Sequence, residues 1–226
     1  MPGLNTLALF AQMDAATLAR YEKRCVRRAF SRGQMIIDQE EVSRDVRFIT
    51  KGHVRIVARV AEGREVIFND FGPGQFFGEL AAIDGGVRSA SVSAQSDVTL
   101  WTMPHTVFRE LCHECPEVCW GVMEHMAKVV RLLSERLSEF TFLKARHRLY
   151  AELLRLSRDG DADNERLITP KPKQGDIADR ISSRREIVSR EMKELERAGI
   201  IKKVPGGLLI ARPEDLSRLA AQGWLN

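Results

Sequence analysis

The sequence predicts an α+β fold with three successive parts, at residues 1–115, 116–144 and 145–226. The first part consists mostly of short, alternating apolar runs separated by glycines, which is typical of a β-sandwich or barrel and here favours a jelly roll. The second part repeats an apolar residue every three or four positions and therefore predicts one long helix. The third part contains two short helical patterns followed by a hairpin signal.

Bulk properties exclude several classes of protein. The 226 residues leave room for one large or two modest domains, and no apolar run is long enough to cross a bilayer, so we expect no membrane partner. The N-terminus has no basic segment followed by a long apolar core, so we expect no export signal and a cytoplasmic location. Four cysteines in such a chain argue against a disulfide framework. No catalytic triad, Cys-His pair or carboxylate pair stands out, which argues against an enzyme.

The first part opens with an amphipathic helical segment over residues 1–20, whose apolar positions are Leu4, Leu7, Phe10 and Leu18. Strand patterns follow between Val26 and His105, at Gln34–Ile37, Val46–Thr50, His53–Val60, Glu65–Asp70 and Val98–Met103. The turns are marked by Gly33, Gly52, Gly63, Gly72 and Gly74. A metal-binding cupin barrel is the enzyme-like alternative. It needs clustered histidines, whereas His53 and His105 stand alone.

The long helical pattern runs from Pro116 to Lys144 and carries an unbroken a/d seam over three heptads. The seam residues are Cys119, Met123, Met126, Val130, Leu133, Leu137 and Phe140. A seam this narrow on so long a helix usually meets its own copy, so we expect a parallel two-fold homodimer. The alternative is packing on the chain's own barrel, for which the flanking residues Val122, Val129 and Leu132 are available.

A helix-turn-helix pattern follows between Gln174 and Gly199, in QGDIADRISSRREIVSREMKELERAG. Ser183 and Glu186 have the spacing of a capping box, which predicts Arg184 as the first residue of the second helix. The helix would bury Val188, Met192 and Leu195 along one stripe and present Arg185, Glu186, Ser189 and Arg190 on the opposite face. Side chains of this kind read base edges, since Arg donates twice to guanine and Glu accepts from cytosine. The alternative is a solvated helix with a Glu186–Arg190 ion pair.

The sequence after this motif supports DNA binding. IIKKV and LLIAR flank Pro205-Gly206-Gly207, which predicts a small basic hairpin and thus a winged helix-turn-helix. Residues 171–203 hold ten Lys/Arg against six Asp/Glu, a net of +4 that equals the excess of the whole chain. Such a local excess suits phosphate contacts. The predicted DNA contacts are Ser183, Arg185, Glu186, Ser189, Arg190 and Lys202. Arg158–Asn164 is expected to be a polar surface loop.

A second functional pattern lies in the barrel. Phe76–Ala82 (FFGELAA) is followed, after Gly85-Gly86, by Arg88–Ala90 (RSA). Gly78 permits close backbone approach, and the residues after it can begin a short helix whose amides face an anion. Arg88 offers a forked charge and Ser89 a donor for phosphate, whereas Glu79 can accept from a ribose hydroxyl. Together they suggest a cyclic nucleotide. The alternative is an ordinary Glu79–Arg88 ion pair.

The barrel, the GEL…RSA cassette, the long helix and the winged helix-turn-helix, in this order, resemble the cyclic-AMP receptor protein and fumarate-nitrate regulator superfamily over nearly the whole chain. The resemblance implies a β-roll that binds cyclic AMP or cyclic GMP as an effector. It also implies a palindromic site on double-stranded DNA with TGTGA-like half-sites, read by Arg185, Glu186 and Arg190, and RNA polymerase as a further partner. The implied effector contacts are Gly78, Glu79, Leu80, Arg88, Ser89, Ala90, Leu133 and Ser134.

Three positions depart from the family pattern, and two alternative functions remain. Leu133 stands where the cyclic-AMP receptor has a Thr that contacts adenine from the partner subunit, Ile187 replaces a phosphate-contacting Thr, and Ser182 occupies a turn position where glycine is common. One alternative is a redox or metal sensor on the same scaffold, with an iron–sulfur cluster held by Cys25, Cys112, Cys115 and Cys119. The other is a cyclic-nucleotide-binding module that does not bind DNA.

Overall fold

The computed structural model describes residues 3–39, 41–59, 65–160 and 164–224. It divides into two compact units, Met1–Val129 and Val130–Asn226. The long helix begins in the first unit and ends in the second. Val60 and Gly63, predicted as a strand end and a turn, lie outside the described residues, and so do residues 161–163 of the predicted polar loop.

The first unit is a β-roll preceded and followed by helices. After 3-10 turns at Leu4–Thr6 and Ala8–Phe10 its elements are α1 (Ala15–Glu22), β1 (Val26–Phe30), β2 (Met35–Ile37), β3 (Val46–Lys51), β4 (Val54–Arg59), β5 (Glu65–Phe71), β6 (Phe76–Phe77), α2 (Glu79–Asp84), β7 (Ser91–Ala94), β8 (Val98–Met103), α3 (His105–Glu114) and α4 (Pro116–Phe142). The predicted entry helix therefore starts later than residue 1, at Ala15, where the Asp14 carboxylate caps it by accepting from the Thr17 N–H.

Two four-stranded antiparallel sheets form the roll, in the orders β1-β8-β3-β6 and β2-β7-β4-β5. Their facing sides enclose an apolar core to which Ile37, Ile49 and Leu100 contribute. The outer side of the first sheet packs on a second core, where Phe48 contacts Phe10 of the entry segment and to which Val118 of α4 also contributes. Alternation along β3 is the local reason, since Val46 and Phe48 face the helices while Ile49 faces the roll interior.

The long helix α4 buries one flank and leaves most of the predicted seam open. Val122 is buried in the core beside the first sheet, as the alternative for this helix predicted. Val129 and Leu132 are half-buried. Cys119 and Met126 of the seam are also half-buried. The other seam side chains expose the following fractions: Met123 49%, Val130 58%, Leu133 48%, Leu137 68% and Phe140 37%.

The second unit is a winged helix-turn-helix. Beyond the end of α4 it contains α5 (Ala145–Leu156), β9 (Arg158–Asp159), β10 (Arg166–Ile168), α6 (Gln174–Arg180), α7 (Arg185–Arg197), β11 (Ile201–Val204), β12 (Gly207–Ile210) and α8 (Pro213–Gln222). The predicted hairpin is confirmed, with Pro205-Gly206 as its turn, and it belongs to a larger antiparallel sheet in the order β11-β12-β10-β9. Arg158 and Asp159 lie in β9, so the prediction that the surface loop begins at Arg158 is wrong.

The helix-turn-helix itself is held by its apolar stripe and by the end of α7. Val188, Met192 and Leu195 are buried, as the periodicity predicts. At the C-terminus of α7 the Ile200 N–H donates to Leu195 O, and the Gly199 N–H donates to Glu196 O. Gly199 has φ +69°, so this is a Schellman ending, which requires the left-handed conformation that glycine adopts freely.

Candidate functional site

The cassette in the β-roll is built around a glycine that no other residue could replace without strain. Gly78 precedes α2 with φ +87°. A Cβ placed there would lie 2.6 Å from Arg88 Nη1 and 2.8 Å from the Asp45 carbonyl oxygen. Because real Cβ atoms do not approach so closely, glycine is needed both for the backbone angle and for the contact with Arg88.

Arg88 is buried and anchored by the backbone around it. Nη1 donates to Gly78 O at 2.9 Å, and Nη2 donates to Ser43 Oγ at 2.9 Å and to Asp45 O at 2.8 Å. Its Nε, also buried, has no hydrogen-bond partner among the described residues. Burial lowers the pKa of Arg88, while the nearby carboxylates Glu41, Asp45 and Glu79 raise it. A guanidinium stays charged in proteins and carries five N–H donors, so Arg88 is a fixed cation with two donors, on Nε and Nη1, that these bonds do not use.

Glu79 is buried at the start of α2 and contacts the long helix. Burial raises the pKa of its carboxyl, and the charge of Arg88 opposes that effect. The described residues show no ion pair between Glu79 and Arg88, so the interpretation of the two as an ordinary salt bridge is wrong. The neighbour of Glu79 is instead His125, whose Nε2 lies 4.0 Å from Oε1. The His125 ring packs on Phe76 with centroids 4.4 Å apart.

The six cassette residues predicted in the roll line one cavity. They are Gly78, Glu79, Leu80, Arg88, Ser89 and Ala90, and they share the cavity with apolar side chains from both sheets: Ile37, Ile56, Phe71, Phe77 and Val92. The cavity measures about 70 Å³, whereas small-molecule sites usually enclose roughly 300–1,000 Å³. A nucleotide-sized ligand therefore requires the walls of the cavity to move apart.

Leu133 and Ser134, predicted as further effector contacts, belong to the second unit. Both are exposed on α4. The Ser134 hydroxyl donates to Val130 O one turn earlier at 2.9 Å, so its donor is used within the helix. Leu133 lies with Val130 and Leu137 on the open seam.

The DNA-reading face predicted on α7 is exposed. Arg185, Glu186 and Arg190 are exposed and Ser189 is half-buried. The described residues show no Glu186–Arg190 ion pair, and Arg190 Nη2 instead lies 3.4 Å from Glu191. The side chains that would read bases are therefore available on one surface.

The predicted capping box is wrong. Arg184 is the N-cap residue of α7 rather than its first residue, and no side chain caps the helix. The Ser183 hydroxyl is buried without a partner among the described residues. The tight turn before it explains the shift, since Ser182 adopts φ +46° and the Ser183 N–H donates to Ala178 O. Sequence spacing could not anticipate a left-handed serine.

A basic groove lies between α6, α7 and the wing. It has a volume of about 520 Å³ and is lined by four cations, which are Lys171, Lys173, Arg185 and Lys203. Lys203 is paired with Glu196 at 2.8 Å, and Lys202, on the same strand, is exposed. Such a cationic surface beside a recognition helix can contact DNA phosphates.

A buried ionic cluster joins three helices of the second unit. Glu152 of α5, 1% exposed, lies 3.2 Å from Arg136 Nη2 of α4 and 3.5 Å from Arg180 Nη1 of α6. Arg155 also binds Glu152 and holds Glu139 of α4 at 2.5 Å. The cluster links the end of the long helix to the first helix of the helix-turn-helix. Sequence reasoning missed it because its members are far apart in the chain.

The cysteines do not form a metal site in the described part of the chain, where no group of three or more His, Cys, Asp and Glu side chains converges on one point. Burial raises the pKa of Cys25 to about 12. Burial and the neighbouring thiols Cys119 and Cys115 raise the pKa of Cys112 to about 11. Clusters and metals bind thiolates, so these thiols are poorly suited to the iron–sulfur alternative.

A β-roll of this kind followed by a long helix and a winged helix-turn-helix is the domain arrangement of a DNA-binding regulator. Two family models match the chain: the cyclic nucleotide-binding domain at residues 27–115 and the Crp-like helix-turn-helix domain at residues 147–219. The chain belongs to the cyclic-AMP receptor protein/fumarate-nitrate regulator superfamily, and it is a CRP-like transcription regulator.

Two curated relatives resemble this chain over most of its length, and a solved structure shares its fold. The chain is 26% identical over 219 residues to the "CRP-like cAMP-activated global transcriptional regulator" of Mycobacterium tuberculosis, covering 96% of this chain and 98% of the relative. It is 27% identical over 194 residues to the "Cyclic AMP receptor protein" of Thermus thermophilus, covering 86% and 88%. A CooA mutant from Carboxydothermus hydrogenoformans shares the fold, with a TM-score of 0.81, 17% identity and coverage of 96% and 95%.

No α-helix in the described part of the chain is suited to span a membrane. Within the described ranges, none combines the length and the apolar character that a membrane span requires.

Proposed function

We propose that this chain is a homodimeric transcription regulator whose DNA binding is controlled by cyclic AMP or cyclic GMP bound in the β-roll. The observation that carries the proposal is Arg88, a buried cation anchored by Gly78, Ser43 and Asp45 with Nε left without a partner among the described residues. Such a group is prepared for a phosphate oxygen, because its orientation is fixed before the ligand arrives. Two relatives whose names refer to cyclic AMP support the nucleotide class.

Each cassette residue has a role in this proposal. Arg88 binds the cyclic phosphate together with Ser89 and the backbone amides from Gly78 to Leu80 at the start of α2, while Ala90 packs beside them. Glu79 accepts a hydrogen bond from the ribose. Leu133 and Ser134 of the partner subunit meet the base. Since Leu133 has no polar atom to offer, it does not contribute a hydrogen bond that distinguishes adenine from guanine.

The open seam of α4 supports the homodimer. Five seam side chains, namely Met123, Val130, Leu133, Leu137 and Phe140, are exposed at heptad spacing. Apolar side chains repeated along one stripe gain by being removed from water, and a second copy of the same helix provides a matching stripe. Cys119 and Met126 complete the seam at its N-terminal end.

The two recognition helices of such a dimer would enter successive major grooves of a palindromic site, about 34 Å apart as in helix-turn-helix dimers generally. Arg185, Glu186 and Arg190 would read TGTGA-like half-sites, with Ser189 beside them. Lys202 would contact phosphate, and Ser183 would do so only through a rearranged turn, since its hydroxyl is buried. RNA polymerase would be the further partner in the cytoplasm.

Effector binding would act through the cavity and the long helix. The cavity of about 70 Å³ must widen to admit a nucleotide, and its Glu79 contacts His125 of α4. At the other end of α4, Arg136 belongs to the buried cluster that holds α6. The ligand can shift the conformational equilibrium only by its difference in affinity for the two states.

Calorimetric titration with cyclic AMP and with cyclic GMP tests the proposal directly. We expect the wild-type protein to bind at least one of them and Arg88→Leu to bind neither, with the dimer intact in sedimentation experiments. Arg59→Leu is the matched control, since Arg59 is an exposed arginine of β4 paired with Asp38. Wild-type protein that gives no heat with either nucleotide at millimolar concentration would remove the cyclic-nucleotide part of the proposal.

A further inference from the structure

A second arginine is buried in the roll beside Arg88, at a position outside the cassette. Arg47 of β3 is 7% exposed. It is the register partner of Phe77 on β6 and of Thr102 on β8. Since Phe77 and Ile49 face the roll interior, the alternation along β3 places Arg47 on the interior side as well.

The guanidinium of Arg47 is poorly satisfied. Its Nε and Nη1 are buried and have no hydrogen-bond partner in the described part of the chain, and the same holds for Thr102 Oγ1 and Arg88 Nε. The Nη2 atom lies 3.9 Å from Glu41 Oε1, which is an ion contact beyond hydrogen-bond distance. Buried donors are nearly always paired, so this group of four unpaired atoms indicates a missing partner that accepts hydrogen bonds.

The chemistry of the unpaired atoms indicates the nature of that partner. Burial lowers the pKa of Arg47, and so do the neighbouring cations Arg88 and Arg28, whereas Glu41 and Asp45 raise it. Glu79 is a third carboxylate beside Arg88, so the formal charges at this end of the roll balance. The guanidinium nitrogens of Arg47 and Arg88 can only donate hydrogen bonds, and an anionic acceptor forms the strongest hydrogen bonds with such donors.

We propose that Arg47 is a second cationic contact for the anionic group of the sensor's ligand, reached from the roll interior beside Arg88, and that this group is a phosphate. The inference rests on the proposed function in placing a phosphate at Arg88. Arg88 lines the cavity of about 70 Å³ whereas Arg47 does not. The contact therefore forms as the cavity widens, and Thr102 supplies a hydroxyl on the same side.

This role makes an unusual prediction about stability. Arg47→Met replaces a desolvated cation by an apolar chain of similar length, so the ligand-free protein should melt higher than wild type. Its affinity for cyclic AMP should fall about tenfold or more, which is the usual effect of losing a charge-assisted hydrogen bond. An arginine that only stabilises the fold would give the reverse: a lower melting temperature and unchanged affinity.

We would test this role by thermal melting and calorimetry of the full-length protein. Inorganic phosphate and cyclic AMP are the two separate probes. Arg47→Lys keeps the charge with fewer donors and should bind with intermediate affinity, which preserves the test if Arg47→Met does not fold. Glu41→Gln removes an opposing carboxylate and should tighten binding of both probes. Arg59→Met, an exposed arginine of β4, should match wild type in every measurement.

The outcomes separate the inference from the proposal on which it rests. Cyclic AMP binding that is equal in wild type, Arg47→Met and Arg47→Lys overturns the role of Arg47 and leaves the nucleotide sensor intact. Stabilisation of wild type by phosphate but not by either cyclic nucleotide, lost in Arg47→Met, supports Arg47 and refutes the nucleotide assignment. Wild-type protein that responds to neither probe overturns both.

Discussion

The buried cluster around Glu152 makes the sharpest prediction about stability. In Glu152→Ala the carboxylate that contacts Arg136, Arg155 and Arg180 is lost, while Arg155 keeps Glu139. Arg136 and Arg180 are 6% and 4% exposed, so water cannot replace the missing charge. Removing one partner of a buried pair costs about 3–5 kcal/mol.

The loss in free energy of unfolding can be estimated more closely and then measured. Arg136 and Arg180 each have a further interaction, which places the cost at the lower end, about 3 kcal/mol. For a unit of roughly 100 residues this lowers the melting temperature by about 12 °C or more. Thermal unfolding followed by circular dichroism gives the change in melting temperature, and urea unfolding gives the change in free energy. We expect the urea midpoint to shift while the dependence of the free energy on urea concentration stays unchanged.

A matched control tests the physical reason. Glu194 forms a similar pair with Arg197 at 2.7 Å, but the two side chains are 57% and 73% exposed. Glu194→Ala should therefore cost less than about 1 kcal/mol. If Glu152→Ala cost no more than Glu194→Ala, burial would not govern the cluster, and its role in holding α4 to α6 would have to be abandoned.

Four other experiments test the remaining assignments. Arg185→Ala should cost about 1–3 kcal/mol on a palindromic site and relax preference at one base, whereas Lys202→Ala should weaken all sequences alike; fluorescence anisotropy with specific and random duplexes distinguishes them, and an Arg185→Ala protein with unaltered affinity for both would contradict the recognition-helix assignment. Leu133→Thr should raise affinity for cyclic AMP relative to cyclic GMP in calorimetry, because adenine gains a partner, and an unchanged ratio would argue against contact with the base. Leu137→Arg should yield folded monomers in sedimentation, since the side chain is 68% exposed in the single chain; a persistent dimer would exclude the seam. Alkylation of Cys25 at pH 8 should be far slower in folded than in unfolded protein, because its pKa is raised to about 12, and equal rates would refute that burial effect.

Features that depend on residues close by in the sequence were predictable from the sequence. The strands β3, β4, β5 and β8, the apolar stripe of α7 and the Pro205-Gly206 turn all match their patterns. The cassette helix after Gly78 and the exposed face of α7 were predictable for the same reason. Periodicity and turn chemistry act over a few residues, so they are present in the sequence itself.

Elements stabilised by distant partners were not predictable. The strand β7 (SVSA) consists of small residues with no strong pattern, yet it lies between β2 and β4, which supply its hydrogen bonds. The strand β1 (VRRAF) is mostly exposed and is fixed by pairing with β8. The helices α3 and α8, and the two extra strands of the wing sheet, were likewise absent from the sequence prediction.

The same division holds within the candidate sites. The sequence by itself identified Gly78, Glu79 and Arg88, because their residue types and order suit a phosphate and a ribose. Only the tertiary structure decided what Arg88 is bound to, since Ser43 and Asp45 lie more than forty residues away. It also decided that Ser183 would not cap α7 and that Arg47 would face the interior of the roll. A buried charge is defined by everything that surrounds it, and those surroundings exist only once the chain has folded.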